Sequence, residues 1–345
     1  MKVILAGGGT GGHLYPAIAV AEELEKKGVD TLFMVSNRGI EREILSELGF
    51  KFIEQRVKTY KSQNILHKIN SIFSALKEVI RLKKYFKHND KVVLFGGFAA
   101  FVSGVIALIR GCDIYIHEQN SVMGLTNRFF AKYAKKVFLS FDKTLKAKGN
   151  VVVSGNPIRS NILSNPKDKL GKTVLLIGGS QGSRVLNLTM VKAAKRLIDM
   201  GFKIIHQTGK RLYDETVLLY NNEGLSNCEE LKILDYLENI EDFYKESDLI
   251  ISRAGSGSVF EIMRIKRPAI FVPLKAAADN HQYFNALYAV EKGFGYIIEE
   301  GNLTAEKLLE MIDVIYKNYE SSILPKLKEI KHQDAVSIIM EGIGL

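Results

Sequence analysis

Two glycine-rich turns carry the first chemical signal. Gly7-Gly8-Gly9-Thr10-Gly11-Gly12-His13 follows the apolar run Lys2–Ala6, and Gly178-Gly179-Ser180-Gln181-Gly182 follows Lys172–Ile177. Each then opens into a stretch of helical period. Glycine lets the backbone turn tightly and approach a ligand, and the helix start beyond it presents free N–H groups and partial positive charge, which suit phosphate. The first turn also fits the G-x-G-x-x-G spacing of dinucleotide sites (Gly7, Gly9, Gly12). The second strand, however, ends Val35-Ser36-Asn37-Arg38, with no carboxylate to hold a ribose. Arg38 keeps an NAD(P) oxidoreductase open as a reading. Flavoprotein reductases also carry two such turns, but their redox cysteine pair is missing. His13 opens the helix after the first turn, where the helix dipole disfavours imidazolium. It is either a neutral base able to accept a proton or a residue packed beneath the loop.

Four further polar clusters fall just after predicted strands. They are His117-Glu118-Gln119-Asn120, Asn156-Pro157-Ile158-Arg159, Ser252 to Ser258 (SRAGSGS) and Asp279-Asn280-His281-Gln282. A guanidinium fork bonds two oxygens at once, so Arg159 and Arg253 suit a nucleotide diphosphate lying across a cleft. Asn120, Gln282 and Ser180 suit sugar hydroxyls and phosphate oxygens, and Glu261 suits a ribose diol. Each residue taken singly reads equally well as a turn or cap; their joint placement at strand ends favours a site. No His/Asp/Glu cluster has metal-ligand spacing and no D-x-D occurs, so no metal site and no cofactor are expected.

The elements that must position these residues alternate as βαβα. Strands are predicted at 2–6, 31–35, 92–95, 114–117, 137–139 and 151–153, with helices at 15–27 and 40–48 between the first ones. The pattern restarts at 172–177, with strands at 202–206, 231–234, 249–252, 269–272 and 296–298 and a helix from about 183 to 199. Such a rhythm implies parallel sheets covered on both faces, in two domains. The turn-rich stretch 154–172 separates them. Ligands of open parallel sheets bind beyond the carboxyl ends of the strands, so two such sheets facing each other place the chemistry in the cleft between them.

The 345 residues are 46% hydrophobic and 25% charged, the balance of a globular protein. Cys112 and Cys228 read as reduced thiols. The opening residues read as a strand, not a leader. An uncharged run of 18 residues, 92–109, reaches the length of a membrane span but is broken by Gly96-Gly97, and reads as a strand feeding a separate helix. Charge is uneven. Residues 1–160 carry 25 Lys and Arg against 13 Asp and Glu, whereas residues 161–345 carry 23 against 25. The first half therefore expects an anionic partner. A basic nucleic-acid binding module is kept as an alternative, with little aromatic interleaving among the lysines to support it.

GGGTGGHLYPAIAVAEEL, HEQNSVMGLTNR, SGNPIR, GGSQGSRVLN, SRAGSGSVFEI and DNHQYFNA occur in this order. Together they closely resemble the MurG family, the UDP-N-acetylglucosamine:N-acetylmuramyl-(pentapeptide) pyrophosphoryl-undecaprenol N-acetylglucosamine transferases of peptidoglycan synthesis. The resemblance covers nearly the whole chain. It implies an α/β GT-B fold of two Rossmann-like doubly wound domains, 1–160 on the acceptor and membrane side and 161–325 on the donor side, with a C-terminal helix at about 326–345 packing back on the first. It implies inverting transfer of GlcNAc from UDP-GlcNAc to the 4-hydroxyl of lipid I, giving lipid II, at the cytoplasmic face of the inner membrane. A related GT-B enzyme with another lipid acceptor is the alternative. Matched motif by motif, Thr10, Gly11 and Gly12 fall on the loop that reaches the donor, and Asn120 on the GlcNAc amide contact. Arg159 and Ser180 fall on diphosphate contacts and Leu237 on the uracil contact. Arg253, Ser256, Gly257, Ser258 and Glu261 fall on phosphate and ribose contacts, and Gln282 on a GlcNAc hydroxyl contact. One motif departs: the family's GGYxSGP is Gly96-Gly97-Phe98-Ala99-Ala100-Phe101-Val102 here, so the tyrosine hydroxyl and the serine are absent.

Between residues 61 and 91, Ile65, Leu66, Ile69, Ile72, Phe73, Leu76 and Ile80 recur at helical spacing among Lys61, Lys68, Lys77, Arg81, Lys83, Lys84 and Lys87. Two readings are open. Either the apolar stripe lies in the core and the basic face in solvent, or the stripe touches the acyl boundary of a membrane with the lysines on anionic headgroups.

Overall fold

The computed structural model describes the chain except for residues 9, 10, 38, 39, 57–64, 159–161, 163 and 180, and describes the backbone alone at 11, 40 and 65–72. The chain divides into two compact units, Met1–Arg159 with Gln333–Leu345, and Ser160–His332.

The first unit runs β1 (Val3–Gly7), α1 (Gly11–Lys26), β2 (Thr31–Ser36), α2 (Ile40–Glu47), β3 (Phe52–Gln55), α3 (Ile65–Leu82), β4 (Lys91–Gly96), α4 (Gly97–Arg110), β5 (Asp113–Glu118), α5 (Leu125–Phe130), β6 (Lys136–Leu139) and β7 (Val151–Val153). Its seven strands are all parallel, in the order β3-β2-β1-β4-β5-β6-β7. The strands are near-continuous apolar runs because helices cover both faces. Side chains alternate across the sheet: Val3, Leu5, Val93 and Phe95 pack with Leu14 and Ile18 of α1, while Ile4, Ala6, Val92 and Leu94 pack with Ala100 and Ile106 of α4. The 18-residue uncharged run divides at Gly96-Gly97, whose φ values of +96° and +77° end the strand and start the helix. Among the described residues, no helix is long and apolar enough to cross a membrane.

The second unit repeats the plan with β8 (Thr173–Ile177), α6 (Arg184–Asp199), β9 (Lys203–Gln207), α7 (Tyr213–Asn222), β10 (Leu231–Leu234), α8 (Ile240–Glu246), β11 (Leu249–Ser252), α9 (Ser256–Ile265), β12 (Ala269–Phe271), α10 (His281–Glu291), β13 (Gly295–Ile297), α11 (Ala305–Asn318) and α12 (Leu324–Glu329). Its parallel sheet has the order β10-β9-β8-β11-β12-β13.

The terminal helix α13 (Ala335–Gly342) belongs to the first unit. Ile339, Met340 and Ile343 join the core beside β1 and α1, and Lys91 Nζ donates to the Ile343 carbonyl. The single returning helix expected over about 326–345 is thus two helices. The returning segment starts only at Gln333, and α12 stays with the second unit, where Leu327 is fully buried.

Candidate active site

In both sheets the strand order reverses beside the first strand, between β1 and β4 and between β8 and β11. Chains leave such neighbours to opposite faces, which opens a crevice at the carboxyl ends of the strands. Both glycine turns sit at these points.

In the first unit two glycine segments interlock. A Cβ at Gly8 would lie 2.9 Å from Ser36 N and 3.0 Å from Glu41 Oε1, and one at Gly97 would lie 2.8 Å from Gly8 O. His13 stands in the first turn of α1, half-buried, with its ring under the second segment: a Cβ at Gly96 would meet His13 Nε2 at 3.3 Å. Gly12 precedes it on the exposed side. Phe98 follows on α4, partly exposed, with its ring 6.1 Å from that of Phe101.

The end of β5 is a buried polar knot. Glu118 is 2% exposed and accepts from Asn120 N (3.0 Å), Gly124 N (2.9 Å) and Asn127 Nδ2 (2.8 Å), so it folds the 119–124 loop around itself and places Asn120. Burial raises its carboxyl above the ordinary range despite those donors. Gln119 Nε2 lies 3.0 Å from His117 Nδ1, and His117 Nε2 lies 3.3 Å from Gly155 O. The amide N–H donates, so Nδ1 accepts and the proton sits on Nε2. Burial lowers this histidine to about 4 and keeps it neutral. The knot reaches the SGNP segment through Ser140 Oγ, which donates to Asn156 Oδ1 at 3.2 Å.

In the second unit the crevice is built around a charge. Arg253, just past β11, donates from Nη2 to Ser183 Oγ (2.7 Å) and Glu300 Oε1 (2.8 Å), and from Nη1 to Val272 O (3.1 Å). Ser183 also caps α6, and Glu300 Oε2 accepts from Lys275 N at 3.0 Å. One guanidinium therefore ties the exits of β8, β11, β12 and β13 together. Burial alone would raise the Glu300 carboxyl; the Arg253 guanidinium and the Lys275 N–H outweigh it and hold it below the ordinary range. Sequence reading made Arg253 a diphosphate partner, and the structure makes it first a brace at that position.

The remaining described residues read from sequence in this unit fall on the same sheet end. Ser256, Gly257 and Ser258 form the first turn of α9, and the space where a Gly257 side chain would stand is open. Glu261, one turn on, accepts from Tyr244 OH at 3.0 Å. Gln282 Oε1 accepts from Leu274 N at 2.9 Å. It follows Asp279 and Asn280, with φ of +51° and +53°, a left-handed pair that Asp and Asn tolerate better than most residues. Leu237 is buried past the end of β10. Thr10, Arg159 and Ser180 lie outside the described residues, as does everything at Gly11 beyond its backbone. Sequence reasoning missed Ser183, Gln207, Asn285 and Glu300. Only Ser183 carried a local signal, a hydroxyl residue before a helical period. Asn285 Nδ2 donates to Ala254 O at 3.1 Å, fixing the turn after Arg253. Among the described residues, no group of three His, Cys, Asp or Glu could hold a metal ion.

Away from the crevices, α3 turns Phe73 (59% exposed), Leu76 (52%) and Ile80 (67%) outward with Lys77, while Leu82 is buried and Ala75 and Val79 pack on the core. For these residues the apolar stripe is on the surface and not in the core. The side chains of Ile65, Leu66, Lys68, Ile69 and Ile72 lie outside the described ones.

The chain matches the glycosyltransferase family 28 N-terminal domain over residues 3–139 and the family 28 C-terminal domain over residues 173–340. It is 34% identical, over 99% of its length and 97% of the relative's, to the UDP-N-acetylglucosamine--N-acetylmuramyl-(pentapeptide) pyrophosphoryl-undecaprenol N-acetylglucosamine transferase of Sulfurihydrogenibium sp.. The protein of that name from Helicobacter pylori is 32% identical over 99% of both chains. The crystal structure of Acinetobacter baumannii MurG superposes with a TM-score of 0.78 at 28% identity, covering 99% of this chain and 98% of that one. Two Rossmann-like parallel sheets, the two family 28 domains and full-length relatives agree: the chain is a GT-B glycosyltransferase and belongs to the UDP-N-acetylglucosamine--N-acetylmuramyl-(pentapeptide) pyrophosphoryl-undecaprenol N-acetylglucosamine transferase (MurG) family.

Proposed function

We propose that this glycosyltransferase moves GlcNAc from UDP-GlcNAc to the 4-hydroxyl of the MurNAc in lipid I, inverting the anomeric carbon and giving lipid II for peptidoglycan synthesis. The observation that carries the reading is the Arg253 brace between a glycine turn and two helix starts in the second unit. As the C1–O bond breaks, negative charge grows on the departing diphosphate. Preorganised donors that meet this charge lower the barrier. Here they are the N–H groups opening α6 and α9 and the Arg253 guanidinium, to which the family resemblance adds Ser180 and Arg159. Thr10, Gly11 and Gly12 are assigned to donor contact, Leu237 holds the uracil through its backbone, and Glu261 takes the ribose hydroxyls. Asn120 and Gln282 orient the GlcNAc. No bound cation is assigned a part.

The acceptor hydroxyl loses a proton as it attacks, and His13 is the base. Its place supports this: a helix start disfavours imidazolium, and the ring lies close against the Gly96-Gly97 segment. Proton transfer of this kind contributes roughly a hundredfold or more. UDP release is to be followed with UDP-GlcNAc or UDP-GalNAc, with and without a short-chain lipid I analogue, and with chelator. Release should require UDP-GlcNAc and the analogue together and survive the chelator. His13→Ala should lower kcat by about a hundredfold with UDP affinity unchanged. Equal turnover of both donors, or of a diacylglycerol acceptor, sinks the substrate assignment; near-parental turnover of His13→Ala sinks the base.

The outward apolar side chains of α3, set among lysines in the basic half, support peripheral attachment to an anionic membrane surface, the cytoplasmic face of the inner membrane.

A further inference from the structure

Gln207 closes β9 in the second unit and is 3% exposed. Its side-chain NH2 donates to two carbonyls, Gly179 O at 3.1 Å and Asp235 O at 3.1 Å. Gly179 stands in the glycine turn after β8. Asp235 begins the segment that leaves β10 toward Leu237. Both partners only accept, so the amide has one workable orientation, NH2 toward the carbonyls and Oε1 away. Oε1 is left buried without a partner among the described residues. A buried acceptor with no donor is costly, so two carbonyls are joined at the expense of one oxygen.

The backbone around Gln207 binds the same two segments. Gly178 N donates to Gln207 O at 3.2 Å, and Thr208 N donates to Leu234 O at 2.9 Å. Gly182 and Gly209 approach so closely that neither has room for a Cβ.

We propose that Gln207 is a positioning residue that sets the distance between the phosphate-facing turn at Gly178–Gly182 and the base-facing segment 235–237, so that the two ends of a uridine diphosphate are read as one ligand. This rests on the UDP-sugar reading above. Gln207 touches no ligand itself. A carboxylate in its place would set lone pairs against two carbonyls and push the segments apart; a methionine would fill the space and join nothing.

The test compares the parent chain with Gln207→Met and Gln207→Glu by calorimetric titration with uridine and with UDP, alongside thermal unfolding of each variant. UDP should bind roughly tenfold more weakly to Gln207→Met and more weakly still to Gln207→Glu. Uridine alone should change by less than about threefold, so the gain from adding the diphosphate shrinks. In turnover, the KM for UDP-GlcNAc should rise while kcat at saturation holds. A role confined to stability would lower the melting temperature and leave the uridine-to-UDP ratio at its parental value, which would overturn the inference. So would variants that bind both ligands as the parent does. A parent chain that binds no UDP would overturn the donor reading and this inference with it; a parent that binds UDP beside indifferent variants overturns this inference alone.

Discussion

The two sheet-end crevices arise from the same winding and are furnished in opposite ways. In the first unit the polar groups are neutral or sealed: His117 is held uncharged, Gln119 and Asn127 are buried, and the Glu118 carboxylate is wrapped by donors of its own loop. In the second a guanidinium and a carboxylate face each other across four strand exits. Topology makes the crevice, and the donor set decides its use. A neutral, glycine-lined crevice beside a histidine suits an uncharged sugar hydroxyl that must lose a proton. A braced guanidinium beside helix starts suits an anion. The units also differ in how they are closed, since the first needs a segment that follows the second in the chain.

That difference gives the largest expected effect. Removing residues 333–345 strips Ile339, Met340 and Ile343 from the core of the first unit and should cost it on the order of 5 kcal/mol. The second unit, continuous in sequence, should keep its stability. Calorimetry should show one transition lowered or lost and the other unmoved. Two unmoved transitions would mean that the first unit closes without this segment.

The charged crevice is broken most directly at Arg253. Arg253→Ala takes the guanidinium from Glu300 and Ser183, which keep only the backbone donors Lys275 N and Leu186 N, and puts a carboxylate with no charge partner next to the incoming diphosphate. UDP affinity should fall on the order of a hundredfold. Adding Glu300→Ala removes the repulsion and should restore part of the loss, so the double variant should bind better than Arg253→Ala alone. Strict additivity of the two changes, measured by UDP titration, would show that the pair acts independently.

Which parts of this were legible in the sequence follows from how local each one is. Buried parallel strands are short apolar runs, so most were readable, and so was the break at Gly96-Gly97. Strand β3 was not: Phe52-Ile53-Glu54-Gln55 is an edge strand that ends in polar residues. The terminal pair of helices was read as one because Lys331-His332-Gln333-Asp334 contains neither glycine nor proline to mark the break. The glycine turns and Arg253 announce themselves by type. Their partners do not: Ser183 is 70 positions from Arg253 and Glu300 is 47, so only the fold brings them together. Gln207 falls one residue beyond the strand predicted at 202–206, with nothing local to mark it.

One feature is shared by both units, and pH tests whether it is as similar as it looks. His117 is held at about 4 in the first unit and His206 at about 3 in the second, each lowered by burial from the ordinary 6.5. His206 bonds Tyr220 OH through Nδ1 at 2.7 Å and Asn187 Oδ1 through Nε2 at 3.1 Å. Because the folded values are depressed, the unfolded chain takes the proton first. The contribution is therefore complete above 6.5 and is lost as pH falls from there toward the folded values. At pH 5 each unit should be weaker by about 2 kcal/mol than at pH 7.5 from its histidine alone. A first-unit transition that does not move over this range would mean that His117 gains its proton inside the fold.

The smallest effect on stability should be the most telling about location. Phe73 and Leu76 project from α3 with half or more of their surface in solvent, so charging them breaks no packing. Phe73→Asp with Leu76→Asp should leave the unfolding free energy within about 0.5 kcal/mol. It should nevertheless abolish sedimentation with anionic vesicles, because two carboxylates replace the side chains that would enter the acyl boundary and also oppose the surface potential. The parent chain should sediment at low salt and partly at high salt, since the apolar contribution is not screened. Turnover with a water-soluble acceptor analogue should be unchanged in the double variant, and turnover with acceptor held in vesicles should fall. Unaltered sedimentation would move the membrane contact elsewhere on the basic half, and a parent chain that does not sediment at all would remove it.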